Sequence, residues 1–495
     1  MSHSSIIGID FGCSNIRVSL IKDGELCQVF NIHGDHEIPA IIYFDEYGGY
    51  ETGNKAKKHF TSDPQNTVYS FKRLITDNFP EVSEFMDNFT YPVVKNVKNE
   101  ILIRVHNRHY APHGILSMLL YKLINELDEL PQSNKTDAVI AIPAYYTCTQ
   151  EKMIMDAAEL AGIKCLRCIP DTVAIALAYM YENMSSENDV TYAVVSLGAS
   201  SCCISLVTCG DGIVEVISHD GMQLGGDNFT ELIVQWLAEE VLRDVKTDLR
   251  KDPKHKALLY DKSIEAKHNL THQNSACITI PKGCAGNRHD LKYTLCRTQY
   301  EKLSEKLYQS LAEMCKKAIA MNDWYAIDGV ILAGDAVNDR SIRFIIEESF
   351  GKKSIYLESK SVVSQGAAIQ GGIFDGAVRD ILILDCTRHS IGYELPNGKT
   401  KVILDKDTTF PIEKTEKFSS DYDDQPAINI HVVEGEYEQA SQNSSMGYYH
   451  IELIPAKKGI PQIEVSFEVD ASSRFHLSAK DLISNREIKI HEGYA

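Results

Sequence analysis

The sequence predicts a two-lobed α/β domain followed by an all-β sandwich, and three observations carry that prediction. A glycine hairpin near the start recurs once, strands and helices alternate around both copies, and helical periodicity largely ends near residue 380. The first hairpin, Ile6 to Ser19 (IIGIDFGCSNIRVS), is an apolar run carrying Asp10, a turn at Gly12 and a second apolar run. Glycine lets backbone approach a ligand closely, and successive turn amides can face anionic oxygens, so such a hairpin can cradle a phosphate. Asp10 faces the same place, where a carboxylate can hold the water shell of a magnesium ion.

The second copy, Ala193 to Val207 (AVVSLGASSCCISLV), aligns without gaps on Ile7 to Ile21, matching Gly198 to Gly12, Ser205 to Ser19 and Leu206 to Leu20. The copies lie too far apart for a solenoid repeat but suit a duplicated domain. Two lobes with one glycine turn each would clamp phosphates between them. The copies differ where chemistry is expected, because Ser196 stands at the place of Asp10.

Composition bounds the function. The 495 residues allow about three domains. No apolar stretch approaches the roughly 18 residues needed to span a bilayer, and MSHSS has no charged leader, so a protein without membrane attachment is expected. The net charge of −19 opposes direct binding to nucleic acid. Thirteen cysteines, an odd count, point to free thiols in a reducing compartment, the cytosol by default. Cys165 and Cys168 have redox-pair spacing but lie in an apparent strand, where residues three apart face opposite sides; two packed thiols are expected. Asn88-Phe89-Thr90 fits a glycosylation acceptor that means little in the cytosol.

Along the chain, Ala40 to Phe44 reads as a strand and Asn66 to Ile75 as a helix start. Its adjacent cations, Lys72 and Arg73, form either a solvated basic face or a point charge aimed at phosphate. Gly114 to Leu130 is an amphipathic helix, Asp137 to Pro143 a buried strand, Glu151 to Ala161 a helix, Lys164 to Ile169 a strand and Thr172 to Met180 a helix. Ser185 to Asp189 is a polar break. Leu224-Gly225-Gly226 opens a helix reaching Leu242, where either free amides favour an anion or Asp227 serves as a simple N-cap. Arg243 to Asp261 reads as charged, helical and exposed, with Lys267 just beyond. Gly329 to Gly334 is a buried strand ending in glycine, and Gly366 to Gly372 a small-residue helix. These glycine punctuations are expected to converge on one nucleotide-sized site. After Asp380 the segments 399–404, 427–433, 448–453, 463–469, 475–479 and 487–491 read as strands of a separate sandwich of about one hundred residues.

Read together, Gly8-Ile9-Asp10-Phe11-Gly12, Asn66-Thr67-Val68 with Lys72-Arg73, Ile142-Pro143-Ala144-Tyr145, Leu224-Gly225-Gly226, Gly366-Ala367-Ala368, Ile381 to Asp385, and Gly459 to Val465 resemble, in that order, the DnaK-type 70-kDa heat-shock chaperones over nearly the whole chain. The resemblance implies an actin-like, ribonuclease H-like, two-lobed ATPase domain over 1–376. It further implies an apolar interdomain linker over 377–387 and a peptide-binding sandwich over 388–495, without a helical lid. It implies ATP or ADP with magnesium as cofactor. Asp10, Lys72 and Asp171 take catalytic positions, with Asp10 holding the metal through water. Gly12, Cys13, Ser14, Gly198, Ser201, Gly225, Gly226, Lys267 and Gly334 take nucleotide-binding positions.

The departures matter as much. Where the family has Asp-Leu-Gly-Gly-Gly-Thr-Phe-Asp, this chain has Ser196-Leu197-Gly198-Ala199-Ser200-Ser201-Cys202-Cys203, so both aspartates are lost, at Ser196 and Cys203. The family's catalytic-site glutamate is the shorter Asp171, its first-hairpin threonine is Cys13, and a glutamate of the adenosine pocket is Ile264. The adenosine loop reads Ala333-Gly334-Asp335-Ala336-Val337 and lacks the arginine that stacks on adenine. Losing one carboxylate that orients metal-bound water costs about 10 to 100-fold, so hydrolysis is expected to be weak or lost and ATP to act structurally.

In the sandwich the resemblance assigns Tyr393, Leu395, Phe418, Ile428 and Ile430 to the peptide pocket, with Pro396 and Asp421 at the arch over it. The linker is Ile381, Leu382, Ile383, Leu384 and Asp385. Without a lid, client dissociation should be fast. The expected role is that of the short, atypical family members: a chaperone or co-chaperone for nascent or unfolded polypeptides, acting with a J-domain partner and reaching the ribosome through it. Arg167, Pro143 and Asp385 sit where the family couples nucleotide to linker. The alternatives are a chaperone that hydrolyses ATP autonomously and, on the same scaffold, a sugar or glycerol kinase, which the linker and sandwich disfavour.

Overall fold

The computed structural model describes residues 6–76, 79–97, 99–127, 136–183, 189–321 and 326–493. Strand Ile7–Phe11 turns at Gly12 and returns antiparallel as Asn15–Lys22, pairing Asp10 with Arg17. Strand Val190–Leu197 does the same with Cys202–Gly210, pairing Ser196 with Cys203. Each turn is closed by the same hydrogen bond, Gly12 N to Asn15 O at 3.0 Å and Gly198 N to Ser201 O at 3.1 Å.

Each hairpin sits in a sheet of the same order and direction. In the first lobe the order is Ile163–Pro170, Thr136–Ile142, Ile7–Phe11, Asn15–Lys22, Glu25–Gln28; in the second it is Ser354–Tyr356, Gly329–Ala333, Val190–Leu197, Cys202–Gly210, Ile213–Met222. In both, the first three strands are parallel and the rest antiparallel. Right-handed connection through helices then places one helix of each lobe at the centre, Asp171–Glu182 and Val362–Phe374. These helices repeat a contact too. Ser364 Oγ lies 2.8 Å from Ser19 Oγ, and Thr172 Oγ1 lies 2.6 Å from Ser205 Oγ.

Two glycines make that packing possible. A Cβ on Gly8 would come within 2.2 Å of Ala368 N, and one on Gly366 within 1.8 Å of Ala174 O. Gly366 thus serves the crossing of the two central helices and does not reach the cleft, which corrects its expected place among the converging glycines.

Linker residues Leu382–Leu384 form a sixth strand on the second lobe, parallel to Ile213–Met222. Ile381 and Asp385 are buried on either side of it while Leu382 is exposed. The sandwich follows. One sheet runs Thr400–Leu404, Ile391–Glu394, Ala427–Glu434, Ser444–Glu452, Ile490–Gly493, and the other Ile412–Phe418, Ile463–Val469, Phe475–Asp481, Arg486–Ile488. The single strand expected over 487–491 is divided at Lys489, because its halves pair in different sheets. Among the described residues the last α-helix ends at Phe374, and no helix is long and apolar enough to cross a membrane.

The sandwich is docked on the first lobe. Arg388 pairs with Glu151, both buried, Cys148 N donates to Glu434 Oε2 at 2.6 Å, and His389 Nε2 donates to Tyr145 O at 2.9 Å.

Several local expectations need correction. Segment 66–75 is not a helix start: Thr67–Val68 pairs with the strand at Ile42, Ser70 turns with φ of 49°, and Phe71–Leu74 is one buried 3-10 turn. Lys72 and Arg73 are therefore buried and form no solvated face. Cys165 and Cys168 share a face, with sulfurs 3.8 Å apart, because a bulge pairs Ala138 with Cys165 and Val139 with Arg167. Segment 243–261 breaks at Lys246 (φ 58°), and a new helix, Pro253–His272, starts behind the Asp252 cap. The expected helix over 114–130 is Pro112–Glu126; Leu130 lies outside the described residues, as do 185–188 of the polar break and the first five residues.

Gly366→Ala is expected to destabilise the lobes by about 1–3 kcal/mol or more, read as a lowered urea midpoint. Gly114→Ala, whose Cβ meets nothing within 4 Å, should instead stabilise the fold by up to about 1 kcal/mol and raise that midpoint.

Candidate functional site

Between the lobes lies a cleft of about 450 Å³ lined from both hairpins and from the second lobe's outer elements. The first hairpin contributes Asp10, Gly12, Cys13, Ser14 and Arg17; the second contributes Ser196, Gly198 and Ser201. Lys72, Asp171, Gly226, Lys267 and Gly334 close the remaining sides. Of the sequence-predicted nucleotide and catalytic positions, Cys203 and Gly225 alone stand behind this lining. Gly225 packs so tightly on the second turn that a Cβ would come within 2.5 Å of Ala199. Gly334 has φ of 101°, and a Cβ there would meet Leu197 O at 2.3 Å, so the chain can pass the second hairpin only as glycine.

The helix Gly226–Val245 does not offer free amides as expected. Gly226 N donates to Gly198 O and Asp227 N to Ala199 O, because the helix start docks the second glycine turn. The Lys267 ammonium donates to Gly226 O, and burial lowers its pKa. The Lys72 ammonium donates to Phe11 O and lies 5.1 Å from the Phe11 ring. The 70–73 segment also bridges the lobes. Ser70 Oγ donates to Asp227 Oδ2 at 3.0 Å, and Arg73 pairs with Glu231. Cys13 Sγ lies 3.9 Å from the same Asp227 oxygen, and burial pushes its thiol up to about 11.

The two acids at the expected catalytic positions, Asp10 and Asp171, already have neighbours. Asp10 faces Arg17 across the hairpin at 3.6 Å; burial raises its pKa while Arg17 and Lys72 oppose the rise. Asp171 accepts from Ser196 Oγ at 2.9 Å and from Thr172 N at 2.8 Å, and burial lifts it to about 6 against those bonds. Cys203 Sγ accepts from Ala144 N at 3.3 Å, and burial holds its thiol well above its ordinary value. A magnesium site needs several free oxygen ligands around retained waters. At the expected catalytic positions one carboxylate faces a guanidinium, a second is bonded by a hydroxyl and an amide, and a hydroxyl and a thiol stand at the two places where the resemblance expects further carboxylates. This donor set does not fit the metal.

A hydrogen-bonded path runs from the cleft to the linker. Beside Asp171, Thr172 Oγ1 meets Ser205 Oγ, which meets His219 Nδ1 at 2.8 Å; His219 Nε2 meets Asp385 Oδ1 at 3.0 Å. Asp385 also accepts from Arg167 Nη2 at 2.6 Å and from Cys386 N at 2.9 Å. Burial would raise the Asp385 pKa, but His219 and Arg167 bring it down to about 2. The ionised carboxylate accepts from Nε2–H, so in the neutral ring Nδ1 is the acceptor for Ser205.

In the sandwich, Tyr393 and Ile430 are buried in the core, while Leu395, Phe418 and Ile428 are half-buried against it. Tyr393 packs on Phe418 at 5.1 Å between ring centres. Pro396 and Asp421 are exposed nearby in sequence.

Sequence reasoning missed Arg17 and His219, and read Asp227 only as a helix cap, not as the acceptor for Ser70. Counting outward from the Gly12 turn places Arg17 opposite Asp10, so its signal was present. His219 lies in a third strand whose pairing contains a bulge between Leu206 and Val207, and no spacing reveals its partner.

A duplicated α/β clamp around a cleft of nucleotide size, a docked apolar linker and a trailing β-sandwich define a two-lobed α/β protein coupled to a second, all-β domain. The family model described as Hsp70 protein matches residues 6–493, and the chain belongs to the Hsp70 family. Membership supports a chaperone function, with nucleotide and polypeptide as the family's ligands.

Two outcomes follow. The Asp171 pKa lies above its ordinary 3.8, so the ionised side chain opposes folding as pH rises through 4 to 6. Asp171→Asn should gain up to about 3 kcal/mol over the unsubstituted chain between pH 4 and pH 7, measured by urea unfolding at each pH. Asp385 lies below its ordinary 3.8, so its contribution of about 2 kcal/mol is present above pH 4 and lost as pH falls through 2. Asp385→Asn should speed proteolytic cleavage of segment 379–388 at neutral pH.

Proposed function

We propose that the chain is an atypical chaperone or co-chaperone in which ATP is a structural ligand and hydrolysis is weak or lost. In this reading it assists nascent or unfolded polypeptides in the cytosol together with a J-domain partner, and reaches ribosomes through that partner. The observation that carries the reading is the state of Asp171, Ser196 and Cys203. A hydroxyl and a thiol replace two carboxylates, and the hydroxyl spends its proton on the remaining acid. Asp171, already accepting from Ser196 and Thr172, is the one carboxylate of this trio.

The binding features survive that loss. Lys72, Lys267 and Arg17 supply positive charge to the cleft that the two glycine turns line, and Tyr300 and Ile342 line it as well. ATP bound there would supply negative charge and contacts to both lobes, strengthening their association. Asp385, bonded to Arg167 and joined through His219 to the cleft, supports the J-domain part of the reading, since a partner that pulled on the linker would act on this path. The edges of the sandwich could receive an extended apolar peptide by strand addition, with Leu395, Phe418 and Ile428 as its half-buried apolar floor.

Phosphate release from ATP by the purified chain, with and without a J-domain protein, tests the reading. No release above background in either case is expected. Turnover stimulated by the J-domain protein would instead make the chain an autonomous ATP-hydrolysing chaperone.

A further inference from the structure

Arg17 is a fixed charge in the cleft whose surroundings suit a specific task. Its side chain is 10% exposed, and it comes from the strand opposite Asp10. Nε and Nη2 donate to Glu37 Oε1 at 3.2 and 2.7 Å, Nη1 stands 3.6 Å from Asp10 Oδ2, and Nη2 lies 3.9 Å from Asp335 Oδ2. Glu37 therefore anchors the guanidinium. The contact with Asp10 is too long for a good hydrogen bond, so the Nη1 protons remain available to a ligand in the cleft. Asp335, from the other lobe, is the most distant partner and is 60% exposed.

A hydrated divalent ion working from Asp10 would have to share that carboxylate with a permanent cation and would be repelled by it. The other positions from which carboxylates would help hold such an ion are Ser196 and Cys203, and the hydrogen bonds at both run elsewhere. Phosphate oxygens still need neutralisation, and a guanidinium provides it in planar, paired form.

We propose that the cleft binds a nucleoside di- or triphosphate without a divalent cation, the Arg17 guanidinium taking the charge-neutralising place beside Asp10. This rests on the nucleotide reading above and deepens it. The phosphates displace Asp335 from the guanidinium, and Glu37 keeps the side chain in place. Lys72 and Lys267 complete a protein-borne set of cations.

Calorimetric titration of the full chain with ATP and with ADP, in EDTA and in magnesium, tests this. Affinity is expected to agree between the two conditions within about threefold. Arg17→Ala should weaken metal-free binding by about ten- to one-hundredfold. In that variant magnesium should recover part of the loss, because Asp10 is freed. Asp335→Asn, a conservative change of an exposed side chain, should tighten metal-free binding. Binding by the unsubstituted chain that requires magnesium overturns this proposal and leaves the nucleotide reading standing, as does metal-free binding that Arg17→Ala does not weaken. Absence of binding in both conditions overturns both.

Discussion

The carboxylate of Asp385 is the interaction on which the arrangement of the molecule depends. It is 3% exposed, and its bonds come from a strand of the first lobe, a strand of the second and the backbone leading into the sandwich. A buried charge stripped of such partners costs about 3–5 kcal/mol. The linker strand, the two lobes and the docked sandwich therefore stand or separate together. The edge strand Leu382–Leu384 adds backbone pairing to this, and the Arg388 to Glu151 pair adds a second buried anchor from the sandwich side.

The cleft separates what the fold requires from what hydrolysis requires. Four close backbone approaches are met by glycine: Gly8 and Gly366 under the central helices, Gly225 and Gly334 against the second hairpin. The paired hydroxyl contacts, Ser19 with Ser364 and Thr172 with Ser205, repeat across the duplication. The asymmetry falls at the ligand-facing pairs, Asp10 with Arg17 in one lobe and Ser196 with Cys203 in the other. The two lobes thus share their packing contacts and differ in the side chains that face the cleft.

Much of this was legible because it is local and periodic. The hairpin copies fix the two sheets' centres, and alternation of strand and helix fixes the layers around them. What escaped depended on pairing between distant segments. Lys72 and Arg73 read either as a basic face or as a charge aimed at phosphate, and only the tertiary contacts of Phe11, Phe85 and Glu231, which bury them and leave Lys72 on the cleft, decide between the two. Cys165 and Cys168 meet because one bulge shifts a strand's parity. The amides before Phe229 read as an anion site, yet the second glycine turn occupies them. Each is a competition between partners that no single stretch of sequence contains.

The most direct test of a docked clamp that holds nucleotide without spending it is hydrogen exchange at Leu382–Leu384, followed over time with ATP and a J-domain protein present. The account predicts that these amides stay protected throughout. Loss of protection that develops with time and requires hydrolysable ATP would contradict it.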